Sequence, residues 1–138
     1  MESWKHALNE FVRGWKEKDF VEAALLTGSY AIGLQTPRSD VDVYIILSDK
    51  VDWRERGDVL VDGFLIEYFA NPIRQIRWYF ENEHSRNKRN TARMFLIGQV
   101  LFDKTGIIGA LRIEAEGYMS KPFSSGPWKK SEPKISRH

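Results

Sequence analysis

The run Ser39-Asp40-Val41-Asp42-Val43-Tyr44-Ile45-Ile46-Leu47 has the apolar, β-branched character of a strand but opens with two carboxylates spaced i, i+2. In a strand that spacing puts both on one face, with Val41 and Val43 on the other. Two like charges held that close repel, and a divalent cation between them removes the cost, hard oxygen ligands being what Mg²⁺ prefers. Ten residues lie between Gly28-Ser29 and Asp40. A third carboxylate, Glu67, is out of place among Phe64, Leu65, Ile66, Tyr68 and Phe69. Taken singly, Gly28-Ser29 reads as a turn and Glu67 as the solvent-facing residue of an antiparallel strand. An Asp-x-Asp pair could guard an exposed strand edge, but the apolar run Val43 to Leu47 argues that this strand is buried. A local rule broken at three related positions marks a working site.

The elements that must position these groups follow from periodicity. Ser3 caps a first helix in which Trp4, Ala7, Leu8, Phe11, Val12 and Trp15 recur at helical spacing to about residue 18. Val21 to Leu26 reads as a buried strand ending at Thr27-Gly28-Ser29, with a short helical turn from Tyr30 to Leu34 before Thr36-Pro37. After the strand Val41 to Leu47, residues 49–58 read as a polar stretch. Val59 to Val61 then pairs with Phe64 to Phe69 across Asp62-Gly63, a strong hairpin signal. A helix is predicted from Asn71-Pro72 to about Glu83, another from Thr91 to Gly98, a short strand at Val100 to Phe102, and a last helix capped by Thr105. Together these describe an α+β (α/β) domain, a small mixed sheet with helices packed against it, whose strand order the sequence leaves open.

Composition bounds the function. The 138 residues suit one domain, with 42% hydrophobic and 29% charged residues in the balance of a soluble globular protein. The absence of cysteine excludes disulfides, thiolate–zinc sites and a cysteine nucleophile. The N-terminus lacks the pattern of a signal peptide, and no apolar run is long enough to span a bilayer, so a cytoplasmic location is the default. The net charge of +2 divides into +4 on residues 121–138 and −2 on the rest, which argues against nucleic acid as a partner. Residues 1–120 are read as the catalytic domain. Residues 121–138, rich in Ser, Gly, Pro and Lys, are read as a flexible basic tail or the start of a missing segment.

The segment from Gly28-Ser29 through Gly33, Ser39-Asp40 and Asp42, followed by Glu67, resembles the signature of the DNA polymerase β-like nucleotidyltransferase superfamily. Gly98-Gln99-Val100-Leu101-Phe102-Asp103 is similar to a segment of small-molecule nucleotidyltransferases of the kanamycin and lincosamide type. Ile32 departs from the minimal nucleotidyltransferases that pair with helical toxins, which often carry Arg there. The resemblance implies a polymerase β-like fold, with Asp40, Asp42 and Glu67 as catalytic and metal-binding residues for two Mg²⁺ ions, Mn²⁺ being an alternative. Gly28, Ser29, Ser39 and Arg38 would lie on the phosphates of a nucleoside triphosphate, although Arg38 taken alone reads sooner as a solvated loop residue. The physical logic agrees, since a Gly-Ser turn offers close backbone approach and a hydroxyl to phosphate.

Three functions follow as expectations. The first is transfer of an NMP to a hydroxyl of a small molecule, releasing pyrophosphate. The second keeps the chemistry with a protein hydroxyl as acceptor, as in protein-AMPylating antitoxins. The third is a nucleotide-binding interaction subunit without turnover. A helical partner subunit or a homodimer would complete the acceptor side. The basic cluster Arg86, Lys88, Arg89 and Arg93 is either a solvated charge run or a contact to polyanion. The three histidines have no ligand-like spacing.

Overall fold

Two segments of the chain are apolar at almost every position, and they become the two strands covered on both faces. In the computed structural model, which describes residues 3–123 and 132–137, these are β1 (Val21–Thr27) and β2 (Val41–Leu47), each buried at every position but its second. Around them run α1 (Ser3–Lys16), the short α2 (Gly28–Ala31), β3 (Trp53–Val61), β4 (Phe64–Pro72), α3 (Ile73–Ser85), α4 (Asn90–Ile97), β5 (Gln99–Asp103), α5 (Ile107–Ser120) and β6 (Ser136–Arg137).

The sheet has the order β5-β1-β2-β4-β3-β6. It is mixed: β1 is antiparallel to β2 and β5, β2 is parallel to β4, β3 is antiparallel to β4, and β6 is parallel to β3. Alternation along β2 divides the core. Val41, Val43, Ile45 and Leu47 face α1, where they meet Leu8 and Val12 with Trp4, Phe11 and Trp15 around them. Tyr44 and Ile46 face α3, α4 and α5, packing with Ile76, Phe80, Phe95, Ile108 and Leu111. Asp42 belongs by alternation to this second face, at the end of the strand where the core stops.

The structure departs from the sequence reading at several element ends. The β3 strand begins at Trp53 rather than Val59, because its outer half is largely exposed and its charged residues hide the strand character. Strand β4 continues through Asn71 and Pro72, opposite Ile46 and Leu47, and the helix starts at Ile73. Thr105 does not cap α5; its hydroxyl donates to Glu22 Oε1 at 2.9 Å. Asp103 does the capping, its carboxylate accepting from the N–H groups of Thr105, Gly106, Ile107 and Ile108 at 2.8 to 3.2 Å. In the basic cluster, Arg89 donates to the carbonyls of Tyr118 and Lys121, both at 3.0 Å, and stacks over Phe123 at 3.9 Å, closing the end of α5.

The stretch read as a flexible tail also holds structure. Glu132 Oε2 accepts from Arg54 and Gln75, each at 3.1 Å, and Ser136–Arg137 pairs with Trp53–Arg54. The part of that reading that falls on residues 124–131 and 138 lies outside the described residues. Among the described residues no helix is long and apolar enough to cross a membrane.

Candidate active site

Strand β1 ends at Thr27, and the chain turns at once into α2 through Gly28, whose φ is +69°. A side chain there would be strained by that backbone angle and would also have no room. A Cβ on Gly28 would stand 2.1 Å from Asp42 Oδ2. The glycine therefore lets the backbone of the turn lie directly against the Asp42 carboxylate. Thr27 sits opposite Asp42 in the ladder and donates its hydroxyl to the Asp42 carbonyl at 3.4 Å.

On the other side of β2, the parallel ladder sets Asp42 opposite Glu67. Paired residues share a face, so both carboxylates stand on the α3–α5 side of the sheet at the open end of the core. Asp40 lies just before β2, half-buried like Asp42 and Glu67. Burial, then the charge of Glu67, then that of Asp40, push the Asp42 carboxyl up from its ordinary 3.8 to about 6. All three causes act in the same direction, so Asp42 ionises against its surroundings.

Sequence reasoning missed a fourth member of this row. Asp58 on β3 pairs with Glu67 and faces the same way, exposed at the rim. The hairpin turn held the signal: Asp62 and Gly63, with φ of 49° and 83°, form a two-residue turn that makes Val61 oppose Phe64, and counting back from it sets Asp58 opposite Glu67. The remaining predicted residues are less converged. Ser29 occupies the first turn of α2. Ser39 turns its hydroxyl into its own loop, accepting from the Thr36 N–H at 2.9 Å. Arg38 is exposed on that same loop. The structure thus sets Asp42 between Gly28 and Glu67, has Asp40 near enough for its charge to act on Asp42, and leaves Ser39 and Arg38 at the margin.

Among the described residues no three His, Cys, Asp or Glu side chains are gathered closely enough to form a ready-made metal cluster. The donor chemistry nonetheless fits a hard divalent cation. Asp40, Asp42 and Glu67 are oxygen donors, and the opposing charges that raise Asp42 are what a bound cation would relieve.

Residues 8–96, which include all of these positions, match the model of the nucleotidyltransferase domain family. The chain belongs to that family, and with it to the polymerase β-like nucleotidyltransferase superfamily, whose general activity is transfer of nucleotidyl groups. The fold resembles the crystal structure of a nucleotidyltransferase-like protein from Exiguobacterium sibiricum 255-15, with a TM-score of 0.63 over 83% of this chain at 9% identity. The likeness is one of fold, and the match spans 39% of that longer chain. Comparison with curated proteins gave no match.

Proposed function

We propose that this chain transfers an NMP group from a nucleoside triphosphate to a hydroxyl of a small-molecule acceptor, with release of pyrophosphate. The observation that carries the proposal is the Asp42–Glu67 pairing across β2 and β4, with Asp40 close enough to disfavour ionisation of Asp42 and with Gly28 packed against its carboxylate. Such mutual repulsion around Asp42 is costly to the fold by itself. It makes physical sense as a receptor for cations that accompany a triphosphate.

Asp40, Asp42 and Glu67 would hold Mg²⁺, or Mn²⁺, which when bound neutralises charge on the phosphates and on the leaving pyrophosphate. Gly28 and Ser29 offer backbone and hydroxyl to the phosphates at the start of α2, where no Cβ stands in the way. The acceptor oxygen attacks the α-phosphorus and forms the new P–O bond. The bond from that phosphorus to the oxygen bridging to the β-phosphate breaks in line, and its electron pair leaves with pyrophosphate. Glu67, on the side of the row away from Gly28, takes the acceptor's proton. Because Asp42 has to ionise before it can bind a cation, cation affinity falls as the pH drops through about 6.

The test is incubation with each α-labelled nucleoside triphosphate, Mg²⁺ and candidate acceptors. Label on a small molecule, lost in Asp42→Ala while the circular dichroism spectrum is kept, is the expected result. Label appearing on a protein instead would move the acceptor class, and nucleotide binding without any transfer would leave an interaction subunit. Full transfer by Asp42→Ala would remove the carboxylates from the chemistry.

A further inference from the structure

The sheet face that carries the carboxylate row does not end there. Two residues further along β4 is Phe69, on the same face as Glu67 and roughly 7 Å away along the strand. Phe69 floors two adjoining cavities. One, of about 110 Å³, is lined by Arg54, Glu55, Arg56, Phe69, Asn71 and Tyr79. The other, of about 160 Å³, shares Phe69, Asn71 and Tyr79 and continues to Tyr44, Glu83, Thr91 and Met94 beneath α3 and α4. Sharing three lining residues, they make a groove with two arginines at one end and aromatic rings at the other, on the sheet face that carries Glu67.

The charges around this groove leave one of its two cations unpaired. Arg54 is held by Glu132 at 3.1 Å and by the Tyr79 hydroxyl at 2.8 Å. Arg56 lies over the Phe69 ring at 5.1 Å and has no ion pair among the described residues. The nearby acids are turned to other work. Glu83 spends both oxygens on the N–H and hydroxyl of Thr91, at 2.7 and 2.6 Å, at the start of α4. Glu55 accepts from the Tyr68 hydroxyl on the opposite, α1 face of the sheet. Asp58 belongs to the carboxylate row. A polycation would meet Arg56, which has no ion pair among the described residues, and carboxylates already engaged by the hydroxyls of Tyr68 and Thr91.

We infer that the acceptor bound in this groove is a small hydroxyl compound that also carries an acidic group, a carboxylate or a phosphate, roughly 7 Å from the reacting hydroxyl. The acid pairs with Arg56, the body of the molecule lies against Phe69, and the hydroxyl reaches Glu67. Guanidinium and carboxylate or phosphate are matched in shape as well as charge. This assignment rests on the transferase reading above and adds to it the class of acceptor.

Two matched sets of probes test it, each assayed with α-labelled nucleoside triphosphates and Mg²⁺: 4-hydroxyphenylacetate with its amide and tyramine, and glucose 6-phosphate with glucose and glucosamine. Label is expected on the anionic member of at least one set, tenfold or more above its neutral and cationic partners. Arg56→Ala should raise KM for that acceptor at least tenfold while KM for the nucleotide stays within twofold, and Arg56→Lys should recover part of the loss. A preference for a neutral or cationic member, no label on either anionic compound, or an Arg56→Ala effect on the nucleotide alone overturns the inference. Calorimetric binding of the nucleoside triphosphates with Mg²⁺ in the same preparations separates the two levels. Binding without anion preference sinks only the acceptor class, whereas absence of binding sinks the transferase reading with it.

Discussion

Replacing Asp42 by Asn should stabilise the cation-free protein while destroying its activity, and the size of the effect can be worked from the site. The Asp42 carboxyl is pushed up from 3.8 to about 6 by burial and by the charges of Glu67 and Asp40. That difference of about two units corresponds to close to 3 kcal/mol at about 1.4 kcal/mol per unit. The side chain is only half-buried, so solvent screening reduces the figure to about 1 to 2 kcal/mol.

The sign follows from proton binding. Between pH 3.8 and about 6 the folded state holds the proton more tightly than the unfolded chain, so stability falls as pH rises through that window. Above it the cost is complete. Asparagine keeps the shape and removes the charge. In EDTA at pH 7.5, Asp42→Asn should therefore melt about 3 to 8 °C above the parent, a gain that shrinks towards zero below pH 4. Differential scanning fluorimetry across pH 4 to 8 measures it, and added Mg²⁺ should raise the parent more than the variant. A variant that melts at or below the parent at pH 7.5, or a difference that does not change with pH, refutes the account of the site as mutually repelling carboxylates.

Other perturbations probe the surrounding structure. Gly28→Ala meets a φ of +69°, worth about 1 to 2 kcal/mol, and a Cβ 2.1 Å from Asp42 Oδ2. It should lower transfer by about 100-fold, through displacement of that carboxylate, and equal activity in the two proteins would contradict the close packing. Asp103→Ala removes the acceptor for four N–H groups at the start of α5. A loss of about 0.5 to 2 kcal/mol in urea unfolding is expected, with faster hydrogen exchange at Gly106 to Ile108. Glu132→Ala leaves Gln75 Nε2 without the acceptor it has now and should cost about 1 kcal/mol; an unchanged melting temperature would show that the segment after residue 131 adds nothing.

Most elements were legible because they obey one rule at a time. The α1 stripe from Trp4 to Trp15, the apolar runs of β1 and β2, and the Asp62-Gly63 turn each carry a local signal strong enough to survive packing. What escaped depends on neighbours distant in sequence. Trp53 to Asp58 is a strand because β4 offers its edge to Glu55 to Asp58 and β6 pairs with Trp53 and Arg54, and its exposed, charged face gives no alternation to read. Asp103 caps α5 from the end of β5, where the nearer Thr105 was the obvious choice. The candidate carboxylates stood out as misfits in otherwise apolar strands. Their convergence was to be expected from the family resemblance and not from local pattern, because β2 pairs with β4 and not with the strand that follows it in the chain.

That parallel pairing is what makes the site possible, and it ties the chemistry to the core. Val41 lies opposite Ile66, Val43 opposite Tyr68 and Ile45 opposite Ala70, all on the α1 side. A slip of one residue would bring Glu67 to that face and expose Ile66, which is fully buried, as well as the Tyr68 ring that packs on Phe11 and Trp15 at 5.3 and 5.6 Å. Burying the apolar side of β4 therefore forces Glu67 out towards Asp42 on the other side. The fold tolerates the resulting repulsion because the register that causes it is held by the apolar contacts of the opposite face. In this way the hydrophobic face of the sheet does the positioning, and the polar face is left free to bind charge.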